Sequence, residues 1–279
     1  MLRSMSLLLR FSCLAFGMIA APAVAIDSAP MPNVQIEERM VPSGLSVSLG
    51  AAYWEGKFGG ATTSELFVAP LSVRWRSDNV RAWATLPYMS IQSDGVLFAG
   101  TDGGPILVSS STPSPQGRTR DGLGDLTLGA TWTAIDGGGT GLMLDLTTRV
   151  KLPTAADSTG LSTGKTDVSI AADVSVPAGG VVPYASVSYR FLGDPSGFDL
   201  RNTINTSVGV SLPFSEKAVA LVAYEYDRAP SNLVDDGHEI FAAFSGPATD
   251  RLDWTAYGSV GLSEGASDFS AGLLLTLSL

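Results

Sequence analysis

Cysteine is nearly missing from this chain: one residue in 279, Cys13, lies close to the N-terminus. Residues 1–25 have the make-up of a secretory signal peptide. Arg3 and Arg10 supply positive charge, Leu14 to Val24 is apolar, and Ala23-Val24-Ala25 forms a small-residue cleavage site. Arg10, Phe11 and Ser12 precede Cys13 where a lipobox would stand, which argues against lipidation. Cleavage after Ala25 leaves a mature chain without cysteine, and so without disulfides, thiolate chemistry or cysteine metal ligands.

Basic residues are scarce too. The chain has 17 against 27 acidic residues, and losing Arg3 and Arg10 leaves 15 against 27, a net of −12. Such an acidic chain lacks the basic stripe that nucleic acid requires. After the signal there is no apolar run of about 20 residues, which excludes a helical membrane protein. Yet 45% of the residues are hydrophobic and 16% charged, so the apolar content must be arranged in some other way.

The arrangement is alternation. Leu126, Leu128, Ala130 and Trp132 fall on one side of a strand, and Asp125, Thr127, Thr131 and Thr133 on the other. After the turn 136–141, Leu142, Leu144, Leu146, Val150 and Leu152 oppose Asp145, Thr147, Arg149 and Lys151. Successive side chains of a strand point to opposite faces, so each segment has one apolar and one polar face. The pattern continues to Leu279 in a chain that begins with an export signal. It predicts an all-β fold, a transmembrane antiparallel barrel with the polar face inward.

Twelve strands are expected, at 43–54, 64–76, 80–93, 122–134, 141–152, 166–176, 181–192, 202–213, 218–227, 237–246, 252–263 and 267–279. Residues 26–42 show no period and read as a periplasmic N-terminal segment or small plug ahead of a barrel at 43–279. Alternate connections are short and mostly rich in Gly, Pro, Asp or Asn. The others, such as 94–121 and 153–165, are mostly longer, as in outer-membrane barrels with short periplasmic turns and longer outer loops. Tyr53, Tyr88, Tyr189, Phe191, Tyr224 and Tyr226 sit near the expected outer strand ends. Trp75, Trp132, Phe244 and Trp254 sit near the inner ends, giving two interfacial belts. Leu273, Leu275, Leu277 and Leu279 share one face, similar to the terminal signal read by the barrel-assembly machinery, with Leu in place of the familiar final Phe.

Three runs carry a resemblance: Gly122-Leu-Gly-Asp125-Leu-Thr-Leu-Gly129, Val150-Lys151-Leu-Pro-Thr154 and Ser162-Thr-Gly-Lys-Thr-Asp167. Over about residues 120–190 the chain resembles the family of outer-membrane transporters named for the meta pathway of phenol degradation. The resemblance implies an outer-membrane channel for passive passage of small hydrophobic or aromatic molecules. The motif elements themselves are expected to mark strand starts and loop geometry.

With the apolar face toward lipid, Asp125, Asp145, Arg149, Lys151, Asp173 and Arg190 are the candidate lumen and selectivity residues. Arg74, Arg81, Glu225 and Asp253 share their inward parity. Lipid should meet Leu126, Leu144, Val168, Ile170, Val174 and Leu275. An inward charge network that merely fills the barrel remains the alternative, as does a structural or surface-interaction barrel whose loop 94–121, with Ser109 to Pro115, contacts partners. An outer-membrane hydrolase is a weaker reading. The lone histidine, His238, lies in Asp235-Asp236-Gly237-His238-Glu239, an Asp-x-His pair similar to that of outer-membrane aspartyl proteases, but no second acidic pair matches it. The serine that outer-membrane phospholipases carry two residues after the histidine is replaced by Ile240. No catalytic residue, metal site or cofactor is expected. The expected partners are outer-membrane lipid and lipopolysaccharide, the barrel-assembly machinery and a small-molecule solute, with no nucleic acid.

Overall fold

Alternation between apolar and polar side chains becomes a closed wall of strands. The structure, a computed structural model, describes residues 44–279 apart from 59, 103, 110, 111, 115, 116, 140, 196, 216 and 217. The expected signal and the 26–42 segment therefore lie outside the described residues. The strands are β1 (Gly44–Gly56), β2 (Ser64–Arg76), β3 (Val80–Gln92), β4 (Val96–Ala99), β5 (Pro105–Ser109), β6 (Thr119–Leu123), β7 (Leu126–Asp136) and β8 (Met143–Leu152). They continue with β9 (Asp167–Ser175), β10 (Val182–Phe191), β11 (Thr203–Ser215), β12 (Ala218–Asp227), β13 (Gly237–Pro247), β14 (Leu252–Gly261) and β15 (Phe269–Ser278). Neighbours in the wall pair antiparallel, and β1 pairs with both β2 and β15, which closes the barrel.

The expected count of twelve holds, with one irregularity. The fourth wall strand is broken into β6 and β7, which pair with the outer and inner parts of β3 respectively. The break falls opposite Pro87, which has no N–H to continue the ladder. There the Gly124 N–H donates to the Pro87 carbonyl at 2.8 Å. A Cβ on Gly124 would sit 2.4 Å from the Met89 sulfur, so any larger residue there must displace the buried Met89 side chain.

Connections at one end of the barrel run from two to six residues, and at the other from seven to 26. The outer face is apolar: Leu71, Trp132, Ile170, Val208 and Leu275 are exposed. Leu126, Leu144 and Val168 share that outward parity and are half-buried. Most of the inner face is polar and buried, and each inward charge kept off the lipid side saves a few kcal/mol near the midplane. Directly opposed hydroxyls tie it together: Ser48 with Thr276 (2.9 Å), Ser72 with Thr85 (2.8 Å) and Thr131 with Thr147 (2.8 Å).

Lumenal aromatic rings lie against glycines on the neighbouring strand. Trp83 faces Gly129, Tyr184 faces Gly209 and Tyr257 faces Gly272. A Cβ at Gly129 would sit 2.1 Å from the Trp83 ring, and one at Gly272 2.3 Å from Tyr257. Gly129→Ala must therefore push Trp83 into the lumen or bend the strand. The expected loss is about 1–3 kcal/mol, read as a lowered unfolding midpoint in detergent. Gly139→Ala is the control: its Cβ position is open, so its midpoint should shift by no more than about 0.5 kcal/mol.

Candidate functional site

The expected 94–121 loop is not a plain loop. Its start forms the hairpin β4–β5, and its end extends the fourth wall strand outward as β6. The hairpin folds into the barrel mouth because both of its faces are apolar. Leu97, Ala99 and Leu107 join a buried cluster with the wall residues Trp54, Leu66, Ile91 and Phe241. Val96, Phe98 and Val108 pack against Leu192, Phe198 and Leu200 beside β10. Two polar ties complete the docking. Asp102 in the hairpin turn forms a buried ion pair with Arg190 of β10, and the Ser231 hydroxyl donates to the Val108 carbonyl at 2.6 Å.

A cavity of about 110 Å³ lies between the hairpin and the wall. Trp54, Phe58, Ile106, Leu107, Val234 and Ala266 give it an apolar side. The acidic residues Asp102, Asp227, Asp235 and Glu239 and the basic residues Arg190 and Arg228 also line it. Arg190 is shared: beyond Asp102 it also reaches Asp227 at 3.7 Å. Glu239 accepts a hydrogen bond from the Ser259 hydroxyl at 2.8 Å.

The inner wall is not uniformly polar. From β12 through β13, β15, β1 and β2 to β3, its middle and outer parts present Leu221, Ala223, Phe241, Leu274, Ala52, Trp54, Val68, Leu66, Met89 and Ile91, all buried. Period-2 reasoning missed these residues. The available signal was a run with both parities apolar, as in Ala218 to Ala223 or Leu273 to Leu275.

The six sequence-derived lumen residues fall into separate groups. Asp125 and Lys151 meet at 3.0 Å, and Lys151 reaches Asp167 at 3.0 Å, all fully buried. Asp125 also accepts from the Ser162 hydroxyl (2.6 Å) and the Ala155 N–H (3.0 Å), while Asp167 accepts the Gly193 N–H (2.8 Å). The three motif runs thus converge on one clasp that folds residues 153–166 over the break between β6 and β7. Arg120 adds a bond of 2.8 Å to the Gly160 carbonyl. Asp145 pairs with Arg81 at 2.7 Å and lies directly across from Asp173 on β9. Arg149 is half-buried with its guanidinium 5.8 Å from the centre of the Trp83 ring, a cation–π distance. Of the six, Arg190 alone lines the mouth cavity.

His238 faces outward. Its Nδ1 lies 2.5 Å from the Tyr224 hydroxyl, away from Asp236. The Asp236 carboxylate instead accepts the Ala229 N–H (2.8 Å) and the Tyr226 hydroxyl (2.7 Å), with Arg201 at 3.7 Å. The Asp-x-His spacing therefore builds no acid–histidine pair. Burial pushes the Asp236 carboxyl up, but those donors and the Arg201 charge outweigh it and hold the group below the usual range. A carboxylate depressed in the folded state stabilises above its unfolded value of about 3.9, and that contribution is lost as pH falls through the folded value. The rim segment 228–236 should thus keep its protection against proteolysis from pH 8 to 5 and lose it below about pH 4.

A closed twelve-strand barrel with an apolar outside and a largely polar inside is a transmembrane β-barrel. Residues 84–279 match the family described as "Putative MetA-pathway of phenol degradation", and the chain belongs to that family. No curated protein matches the sequence. Among solved structures, an outer membrane channel from Pseudomonas putida F1 superposes with a TM-score of 0.65 at 12% identity, over 86% of this chain and 97% of that one. The toluene transporter TbuX of Ralstonia pickettii gives 0.48 at 11% identity, over 87% and 91%. The transport unit of the autotransporter AIDA-I of Escherichia coli gives 0.49 at 10% identity, over 88% and 93%. A toluene transporter and an autotransporter at the same level carry no argument about cargo; the likeness lies in the barrel.

Proposed function

We propose that this protein is an outer-membrane channel for passive passage of small apolar molecules of about one aromatic ring. The observation that carries this reading is the mouth cavity, walled by Trp54, Phe58, Ile106 and Leu107 and joined to an apolar inner surface. A dry cavity of about 150 Å³ takes up benzene elsewhere, so a space of about 110 Å³ has the right scale for a small ring once the hairpin yields slightly. Family membership points the same way. Outer-membrane lipid and lipopolysaccharide would meet the apolar band, and the barrel-assembly machinery would insert it. Flux would follow the concentration difference.

The hairpin bears on the alternative of a surface-interaction barrel. Its apolar side chains turn inward, so the segment expected to contact partners spends them on the barrel's own mouth. The test uses vesicles with a lipopolysaccharide outer leaflet, with and without the refolded protein. Toluene or phenol should enter protein-bearing vesicles faster. Equal entry rates with correctly inserted barrel would remove the channel reading.

A further inference from the structure

A strained residue closes the outer end of the mouth cavity. Phe58 lies two residues beyond the end of β1, at the long-loop end of the barrel, and lines the cavity. Its φ of 48° is left-handed, the only such value at a non-glycine among the described residues. For a bulky side chain that conformation is an outlier, and it persists only where the surroundings enforce it. Glycine adopts it without strain. The sequence has glycine at positions 56, 59 and 60, yet this left-handed position falls on the phenylalanine. The enforcement comes from the ring. Phe58 is 5% exposed although it sits in a surface connection, and it joins the buried cluster of Trp54, Leu97 and Leu107. Gly56 makes the seat: a Cβ there would come within 3.2 Å of the Phe58 ring. The Gly60 N–H donates to the Lys57 carbonyl at 2.7 Å, closing a tight turn around Phe58. Backbone strain at such a residue and the gain from burying one phenyl ring are of similar size, so they nearly cancel. Ring-in and ring-out arrangements are then close in free energy, as a moving part requires.

We propose that the Phe58 ring is the door of the mouth cavity and sets the size of the solute that enters. This rests on the channel reading above and adds its size limit. With the ring in, Phe58 completes the wall of a space of about 110 Å³, the scale of one aromatic ring. Swinging out relieves the turn and opens the route that the hairpin covers further in. Trp54, two residues before the strand end, lies deeper in the same cavity and receives the solute. An entering ring replaces the apolar contacts with Trp54 and Leu107 that the phenyl ring gives up, so a one-ring solute exchanges with the door at little cost. Two fused rings exceed the space and are held back.

The test compares protein-dependent vesicle entry of phenol and 1-naphthol through the native barrel and its Phe58→Gly and Phe58→Ala variants, with the folded-barrel gel shift as the integrity check. The native protein should admit phenol faster than 1-naphthol. Phe58→Gly should raise 1-naphthol entry about tenfold and phenol entry about twofold, so the ratio of the two moves toward the larger solute. A ratio unmoved in both variants overturns the door. The unfolding midpoint in detergent is the second readout. Glycine relieves the left-handed strain and alanine does not, so Phe58→Gly should unfold at a higher midpoint than Phe58→Ala, the reverse of the usual order. Equal midpoints, or a higher one for alanine, remove the strained hinge and with it the proposal. Phenol separates the two readings: phenol entry with an unmoved ratio leaves the channel and removes the door, whereas entry of neither solute removes the channel itself.

Discussion

Removing Val96–Ser109 and joining the ends with a short glycine–serine linker is expected to raise solute entry by on the order of tenfold, with the barrel still folded. The hairpin contributes Leu97, Ala99 and Leu107 to the mouth and pairs with no wall strand. Every wall pairing, including β1 with β15 and β3 with β6, is independent of it. Burying each of Val96, Leu97, Phe98, Leu107 and Val108 is worth about 1.5–3 kcal/mol, so the native hairpin stays docked at rest. Planar-bilayer conductance and vesicle entry read the change, and the folded-barrel shift on unheated gels verifies integrity. An intact barrel with unchanged entry would show that the passage runs elsewhere.

The second large effect is on stability. Lys151→Met leaves Asp125 and Asp167 buried, with side chains 4% and 3% exposed, without their cation. Breaking such a pair by removing one partner costs about 3–5 kcal/mol, because the carboxylates remain desolvated. Asp125 also holds Ala155 and Ser162, so segment 153–166 should become protease-sensitive in the same variant. Neutralising the stranded acids in the triple variant Lys151→Met, Asp125→Asn, Asp167→Asn should recover a large part of the loss. Ion preference should not change, since the clasp residues do not line the mouth cavity. A lone Lys151→Met variant with the native midpoint would contradict the clasp.

The barrel was readable because its two solvents, lipid and lumen, impose opposite demands on alternate residues. Leu128 and Trp132 against Thr127 and Thr131 state both demands in six positions. Strand ends were found within a few residues where Gly, Pro or Asp mark the turns, as at Ser77 to Asn79. The break at Gly124 was not legible, because its cause, Pro87, lies on the neighbouring strand and acts through register. The hairpin was obscured for a different reason. Val96-Leu97-Phe98-Ala99 and Ile106-Leu107-Val108 do not alternate, since both faces are buried, one on the wall and one on loop residues. Inward parity supplied the six candidate lumen residues, but parity fixes only a face. Height along the barrel and loop contacts divide Asp125 and Lys151 from Arg190, and both depend on the tertiary fold.

The most direct measurement of the hairpin-capped passage uses the absence of cysteine from residues 26–279. Cysteines placed at Asp102 and Arg190, the ion pair that joins hairpin to wall, can be bridged by a short cleavable bifunctional thiol reagent. The account predicts that bridging stops entry of toluene and phenol into lipopolysaccharide-leaflet vesicles, and that cleaving the bridge restores it. The reagent should leave the entry rate of each single-cysteine variant as it was before treatment. Entry that continues at full rate through a quantitatively bridged barrel would contradict the account.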